Sequence, residues 1–233
     1  MAEPAVLFVL TNHDRIGPVD DRQAEPTGFH LTEAATPWAI LTDAGIAVDL
    51  VTPAGGAAPI DPVSREEADE DGDRFLADPT VRAQIENSRA LDQIDIDKYA
   101  AIYFPGGYGT MWDLPENEAV QSAAGGMYEA GKIVAAICHG PAALVNVKLS
   151  SGAWLIAGKR VSMFTDAEEQ AMDKDTLVPF LLETELQARG AIIEKADNFE
   201  SSVSVDGQLV TGQNPASATG VAEAVRDMVQ RSL

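Results

Sequence analysis

The residues best suited to do chemistry are Cys138 and His139, adjacent in Ala135-Ala136-Ile137-Cys138-His139-Gly140-Pro141. Cys138 is the only cysteine in 233 residues. The run Lys132–Cys138 (KIVAAIC) is short, apolar and partly β-branched, as a buried strand is. The AALVNV that follows has helical character. Gly140 permits a tight turn, and Pro141 suits a first helical turn, where its missing N–H costs nothing. Strand, nucleophile and helix in direct succession make a nucleophile elbow, usually built as G-x-S-x-G around serine. Here a thiol takes the place of the hydroxyl. The start of a helix offers free N–H groups and the positive end of its dipole, which favours thiolate. A free cysteine is most often a small buried hydrophobe. The C-H-G-P context after a strand is what lifts Cys138 above that.

A thiol that attacks a carbonyl needs a base and a binder for the oxyanion that develops. His139 is the nearest base. Gly106-Gly107 ends the strand Tyr99–Phe104 (YAAIYF) and can turn backbone N–H groups toward an oxyanion, together with that of His139. No Walker lysine follows these glycines, so they form no phosphate loop. Asp166, Glu168 and Glu169 lie past a strand at Arg160–Phe164, and each is a candidate to orient His139; spacing does not choose among them. Glu33, in Gly28-Phe29-His30-Leu31-Thr32-Glu33, stands at a helix start, where complementing the dipole explains a carboxylate equally well. His13 and His30 are the other imidazoles. With one cysteine and no H-x-x-x-H spacing, neither a structural zinc site nor a cofactor is expected.

These groups need a frame, and the chain supplies alternating strands and helices. Strands are expected at Ala5–Leu10, Ile46–Thr52, Tyr99–Phe104, Lys132–Cys138, Arg160–Phe164, Ala191–Lys195, Val203–Val205 and Gln208–Thr211, the last two joined by a hairpin at Asp206-Gly207. Helices are expected at Glu33–Ala44, Asn117–Ala130, Pro179–Arg189 and Ala216–Val229. Ser64–Leu91 is charged and helix-prone, and is read as solvated helices covering one end of the sheet. The expected architecture is α/β, one domain over residues 1–233 with an acidic helical insertion at about 53–96. Its sheet is mainly parallel and doubly wound. Ligands bind such sheets beyond the carboxyl ends of the strands. Three strands end there in polar or glycine-rich sequence: Thr11-Asn12-His13-Asp14, Pro105-Gly106-Gly107 and Cys138-His139-Gly140.

With 16 basic and 37 acidic residues the net charge is −21, which argues against nucleic acid and anionic membrane surfaces as partners. A single free thiol fits a reducing compartment, and a cytoplasmic location is expected. The amino-terminal MAEPAVLFVLTNHD lacks the basic start of a signal peptide, and no stretch approaches a membrane span.

Several segments together resemble the ThiJ/PfpI superfamily, the class I glutamine-amidotransferase-like group, over nearly the whole chain. They are TNHD at Thr11–Asp14, GFHLTEAATPW at Gly28–Trp38, TPAGGAAPIDP at Thr52–Pro62, FPGGYGTMWDLPEN at Phe104–Asn117, AAICHGPAAL at Ala135–Leu144, FTDAEE at Phe164–Glu169 and LVTGQNPASA at Leu209–Ala218. GFHLTE and FTDAEE look most like the branch of heat-shock chaperones with glyoxalase III activity. The resemblance implies a flavodoxin-like sandwich, frequent homodimers and a catalytic set of Cys138, His139, Glu33 and Glu169. In that set Glu33 hydrogen-bonds the sulfur and Glu169 is the acid partner of the histidine. Many relatives read GGHG where this chain has Gly106-Gly107-Tyr108-Gly109, so Tyr108 changes the pocket wall beside the nucleophile. The metal-binding set of the larger bacterial chaperones is not evident.

The implied activity is a cofactor-independent, glyoxalase III-like conversion of methylglyoxal and water to lactate. Gly106, Gly107, Tyr108 and His139 would bind the small dicarbonyl substrate. A holding chaperone, a protein deglycase and an oxidation sensor share the fold, as do amidases and peptidases, and fold alone does not choose among them. One further expectation concerns charge: Glu33 keeps a proton and donates to sulfur, leaving Cys138 largely thiolate at neutral pH.

Overall fold

The computed structural model describes residues 4–18, 20–21 and 23–232. In chain order its strands are β1 (Ala5–Val9), β2 (Ala47–Thr52), β3 (Arg89–Ala90), β4 (Ala101–Phe104), β5 (Ile133–Ile137), β6 (Arg160–Val161), β7 (Ile192–Ile193), β8 (Val203–Asp206) and β9 (Leu209–Gly212). The α-helices are α1 (Leu31–Asp43), α2 (Pro62–Glu66), α3 (Glu70–Ala77), α4 (Pro79–Glu86), α5 (Thr110–Asp113), α6 (Glu118–Glu129), α7 (Asp166–Ala171), α8 (Leu182–Ala188) and α9 (Ala218–Arg231).

Seven strands form one sheet in the order β3-β2-β1-β4-β5-β9-β8. All neighbours are parallel except β8 and β9, an antiparallel hairpin turned at Gly207 with φ +63°. The strands are apolar throughout because both faces of the sheet are covered. Side chains alternate between the faces: Leu7, Val9, Ile102, Phe104, Val134 and Ala136 pack with α6, while Val6, Phe8, Tyr103, Ala135, Ile137 and Cys138 belong to the core under α1 and α9. This is the mainly parallel, flavodoxin-like α/β arrangement expected. Helix starts follow their caps. The side chains of Asn117, Asp69 and Asp78 each accept backbone N–H groups at the heads of α6, α3 and α4, contacts worth about 1 kcal/mol apiece.

Three expectations are corrected. The segment after Cys138 is a five-residue 3-10 turn, Gly140–Leu144, and not an α-helix. The strand expected at Arg160–Phe164 pairs only over Arg160–Val161, and with β7, in a separate two-stranded sheet. Beyond it, Ser162 N–H donates to Thr211 Oγ1 at 2.9 Å and Phe164 N–H to Cys138 O at 2.9 Å, so the chain is held to the large sheet without a ladder. The charged segment 64–91 is more than a wet cover. Phe75 and Val81 are buried, α3 packs on α1, α4 packs on β2, and β3 extends the sheet at its edge. Among the described residues no helix is long and apolar enough to cross a membrane.

Candidate active site

Cys138 follows β5 directly, with φ +57°, the left-handed region that an L-residue enters at a cost of roughly 1–3 kcal/mol. The strain is held from both sides: Cys138 N–H donates to Gly212 O and its carbonyl accepts from Phe164 N–H, each at 2.9 Å. Gly140 completes the elbow, because a Cβ there would stand 2.1 Å from Phe104 O. The thiol is 4 % exposed.

The sulfur lies 3.4 Å from His139 Nδ1, and His139 Nε2 lies 2.8 Å from Glu169 Oε2. With a carboxylate at Nε2 the ring proton belongs there, so Nδ1 turns its lone pair to the thiol. Sulfur, imidazole and carboxylate therefore form a line along which a proton can leave the thiol. The ring is held between aromatic neighbours, Tyr108 at 4.4 Å and Phe164 at 4.6 Å between centroids.

The three acidic candidates at the start of α7 separate cleanly. Thr165 caps the helix and shares a capping box with Glu168. The other oxygen of Glu168 receives Phe199 N–H, Gln213 Nε2 and Asn214 Nδ2, so this carboxylate ties loops together. Asp166 accepts from Thr184 Oγ1. Only Glu169 faces His139. Burial works to raise its carboxyl, but the attraction and hydrogen bond of His139, with Tyr108 and Lys174 behind, hold it below its ordinary value.

Glu33 reaches the sulfur from α1. Its Oε2 accepts Gly106 N–H at 2.8 Å. Its backbone is positioned by a gap in the helix: Pro37 has no N–H to donate to the Glu33 carbonyl four residues back, and Tyr103 Oη of β4 donates to that carbonyl at 2.8 Å instead. Glu33 is fully buried, and burial pushes its carboxyl up to about 8 against the pull of Cys138 and Gly106 N–H. It is thus protonated at neutral pH, as expected.

The expectation for Cys138 is corrected. Burial pushes the thiol up, and the neighbouring Glu33 adds to this; His139 N–H opposes both and loses. The 3-10 turn is too short to supply the field of a full helix, so desolvation decides. At rest the sulfur is a thiol.

Gly107, at φ +104°, comes so close to the strand of residues ahead of α1 that a Cβ there would stand 2.3 Å from Gly28 O and 2.6 Å from His30 N. Gly106 N–H is committed to Glu33, which leaves Gly107 and His139 as the backbone candidates for an oxyanion. Tyr108 Oη is buried near Glu169 with no well-formed hydrogen bond among the described residues, and burial followed by the charge of Glu169 raises its phenol.

The first strand end does not join this group. Thr11 Oγ1 and Asn12 N–H donate to Asp113, Asn12 Nδ2 donates to Thr52 Oγ1 and to Gly55 O, and the His13 ring stacks on Trp112 at 5.1 Å. These residues brace loops. The sequence reading also missed the clamp on the stretch before α1. Phe29 N–H donates to Pro59 O, Asp61 N–H donates to Phe29 O, and Leu31 N–H donates to Ser64 Oγ. The signal was the pairing of GFH with PIDP, which composition does not reveal. Among the described residues no cluster of His, Cys, Asp or Glu suits a metal ion. A depression of about 460 Å³ opens at the opposite ends of the strands, by Lys132, Gly207 and Arg231, and holds none of this chemistry.

The "Probable glutathione-independent glyoxalase hsp3103" of Schizosaccharomyces pombe is 33 % identical over 87 % of this chain and 90 % of its own length. Among solved structures, the Rapid Encystment Protein 24 KDa of Francisella tularensis superposes with a TM-score of 0.92 at 39 % identity, over 97 % of this chain and 99 % of that one. The glyoxalase III of Candida albicans superposes with a TM-score of 0.83 at 26 % identity, over 97 % of each. Residues 25–227, which include Glu33, Cys138, His139 and Glu169, match the DJ-1/PfpI family, and the chain belongs to it.

Proposed function

We propose that this chain is a glutathione-independent glyoxalase that converts methylglyoxal and water to lactate, with Cys138, His139, Glu33 and Glu169 as its catalytic residues. The observation that carries the proposal is Glu33: a carboxyl that burial keeps protonated, sealed from water, close enough to Cys138 to bear on the sulfur, and with Oε1 meeting no well-formed hydrogen bond among the described residues. A hydrolase needs only the thiol, base and acid. An isomerisation between neighbouring carbons needs one more group that gives and takes a proton near neutral pH, and Glu33 is that group.

As the sulfur attacks the aldehyde carbon, the thiol proton passes to His139 Nδ1, and Glu169 stabilises the imidazolium. The carbonyl oxygen takes a proton and a hemithioacetal results. The C–H proton of that carbon then leaves and an enediol forms. Reprotonation at the neighbouring carbon gives the thioester of lactate, with Glu33 and His139 handling these protons. Water attacks the thioester, the C–S bond breaks, lactate leaves and the sulfur regains its proton. Gly107 and His139 N–H groups face the oxyanion, and Tyr108 lines the substrate pocket. The sulfur is 4 % exposed, whereas an oxidation sensor uses an accessible thiolate.

We also read the chain as one cytoplasmic domain acting as a homodimer on a small dicarbonyl, without cofactor, nucleic acid or membrane. The decisive assay is lactate formation from methylglyoxal by the purified protein with no glutathione. The protein is expected to produce lactate and Cys138→Ala none, with the fold retained. Activity of Cys138→Ala within tenfold of the parent rules out the covalent route.

A further inference from the structure

Six buried side-chain polar atoms have no hydrogen-bond partner among the described residues, and four belong to one neighbourhood: Glu33 Oε1, Tyr108 Oη, Glu169 Oε1 and His30 Nδ1. Three of these sit on residues with a proposed role. His30 has none; the residue is half-buried, its Nδ1 is shut off from solvent, and its ring makes no hydrogen bond to the described residues. A buried polar atom left unpaired carries a desolvation cost, which a ligand atom in reach recovers.

The backbone fixes His30 at the site. Its N–H donates to Gly106 O at 2.9 Å, so His30 and Glu33, three residues apart, grip the carbonyl and the N–H of the same glycine. Asp61 and His139 lie near enough to bear on the titration of the ring. Burial, the largest influence, brings the imidazole down to about 4 against the pull of Asp61. The ring is therefore neutral at pH 7, with one N–H donor and one lone pair. A neutral imidazole polarises a carbonyl oxygen without binding a carboxylate product tightly.

We propose that His30 contacts the substrate: its imidazole hydrogen-bonds the oxygen on the carbon next to the one bound to Cys138, the keto oxygen that becomes an enediol hydroxyl. No bond to carbon forms at His30 and no net proton stays there; it orients and polarises that oxygen while Glu33 and His139 move protons. The identity of the substrate rests on the glyoxalase reading, whereas the contact itself is testable without turnover.

The test is protection of the sole thiol from iodoacetamide by methylglyoxal, measured beside lactate formation in the parent, His30→Gln, His30→Ala and His30→Phe. Without methylglyoxal, all four proteins are expected to alkylate at rates within about twofold of each other. The concentration giving half-protection should rise about three- to tenfold in His30→Ala and His30→Phe, in keeping with one lost hydrogen bond, and less in His30→Gln, which keeps an N–H. Unchanged half-protection in the folded variants overturns the proposal. So does a fall in unprotected alkylation that parallels the loss of lactate, which marks a purely structural role, and so does failure of methylglyoxal to protect the parent. A parent that is protected in a His30-dependent way yet makes no lactate overturns the glyoxalase reading and leaves the His30 contact standing. His30→Phe fills the volume of the ring and keeps the test valid if His30→Ala proves unstable.

Discussion

The loops after β1 and after β5 leave neighbouring regions of one parallel sheet at the same edge, and both begin with reactive-looking residues. After β1, polar atoms find partners within the chain: Thr11 and Asn12 hold Asp113, Asn12 holds Thr52, and His13 Nε2 lies 2.8 Å from Gly17 O. Around Cys138, four buried polar atoms meet no well-formed hydrogen bond among the described residues. Residue type does not separate the two loops; satisfaction does. A closed polar network stabilises its surroundings, and an open one has capacity left for a substrate.

The sharpest way to break this contrast is at Glu33. Glu33→Gln keeps the shape and a donor but cannot cycle a proton. Lactate formation should fall by about a hundred- to ten-thousandfold, while iodoacetamide reaction at pH 8–9 should become faster, because the ionised carboxylate that opposes thiolate is gone. Full turnover in this variant removes Glu33 from the chemistry and leaves His139 to carry the proton alone.

The same substitution sharpens the contrast through stability. The Glu33 carboxyl titrates at about 8 in the fold and near its ordinary value of 4.5 when unfolded. Between these values the folded state binds the extra proton, so the parent loses stability as pH rises, by at most about 1.4 kcal/mol per unit. Stability from this group is fully present below pH 4.5 and is lost as pH rises through 8. Thermal melts should therefore show Glu33→Gln gaining on the parent from pH 5 to pH 8. A constant difference across that range means that Glu33 is not protonated in the fold.

Within α7, Glu169→Gln should slow lactate formation by about ten- to a hundredfold, more than either Glu168→Gln or Asp166→Asn, because only Glu169 touches His139. Glu168→Gln should show instead in the melting temperature, since its oxygens receive groups from three loop positions. Asp166→Asn as the most damaging of the three to turnover reverses the assignment. The mildest effect on chemistry belongs to the closed loop. Asp113→Asn sets an NH2 against a donor and should cost about 1–3 kcal/mol of stability, with kcat within about twofold of the parent. A large loss of kcat at unchanged stability dissolves the distinction between the two loops.

Much of the frame was legible because parallel strands buried on both faces leave unbroken apolar runs, as in AVLFVL and KIVAAIC. The elbow was legible too, since Gly140 and Pro141 each answer a local backbone demand. The charge state of Cys138 was not. It depends on how completely the surrounding chain excludes water, and that is a property of the packed molecule. Nor did sequence choose Glu169 over Glu168 without the family resemblance. The two are adjacent, and about 100° of helix rotation sends one to the imidazole and the other to the loops. His30 carried no pattern, for a lone histidine gains meaning only from the atoms it fails to meet. AALVNV misled because its helical composition says nothing of the close approach of Gly140 to Phe104 O.

The hydrogen bond that Tyr103 makes to the Glu33 carbonyl, in the space left by Pro37, gives this position an unusual independence. The height of residue 33 above the sheet is anchored through its main chain, by a hydrogen bond that exchanging the side chain does not remove. Position 33 thus behaves like a socket: acids, amides and shorter groups can be fitted in turn with the mounting unchanged. Differences in rate among such proteins then measure the fitted group itself, which makes this the place to redirect the chemistry of the thiol without rebuilding the fold.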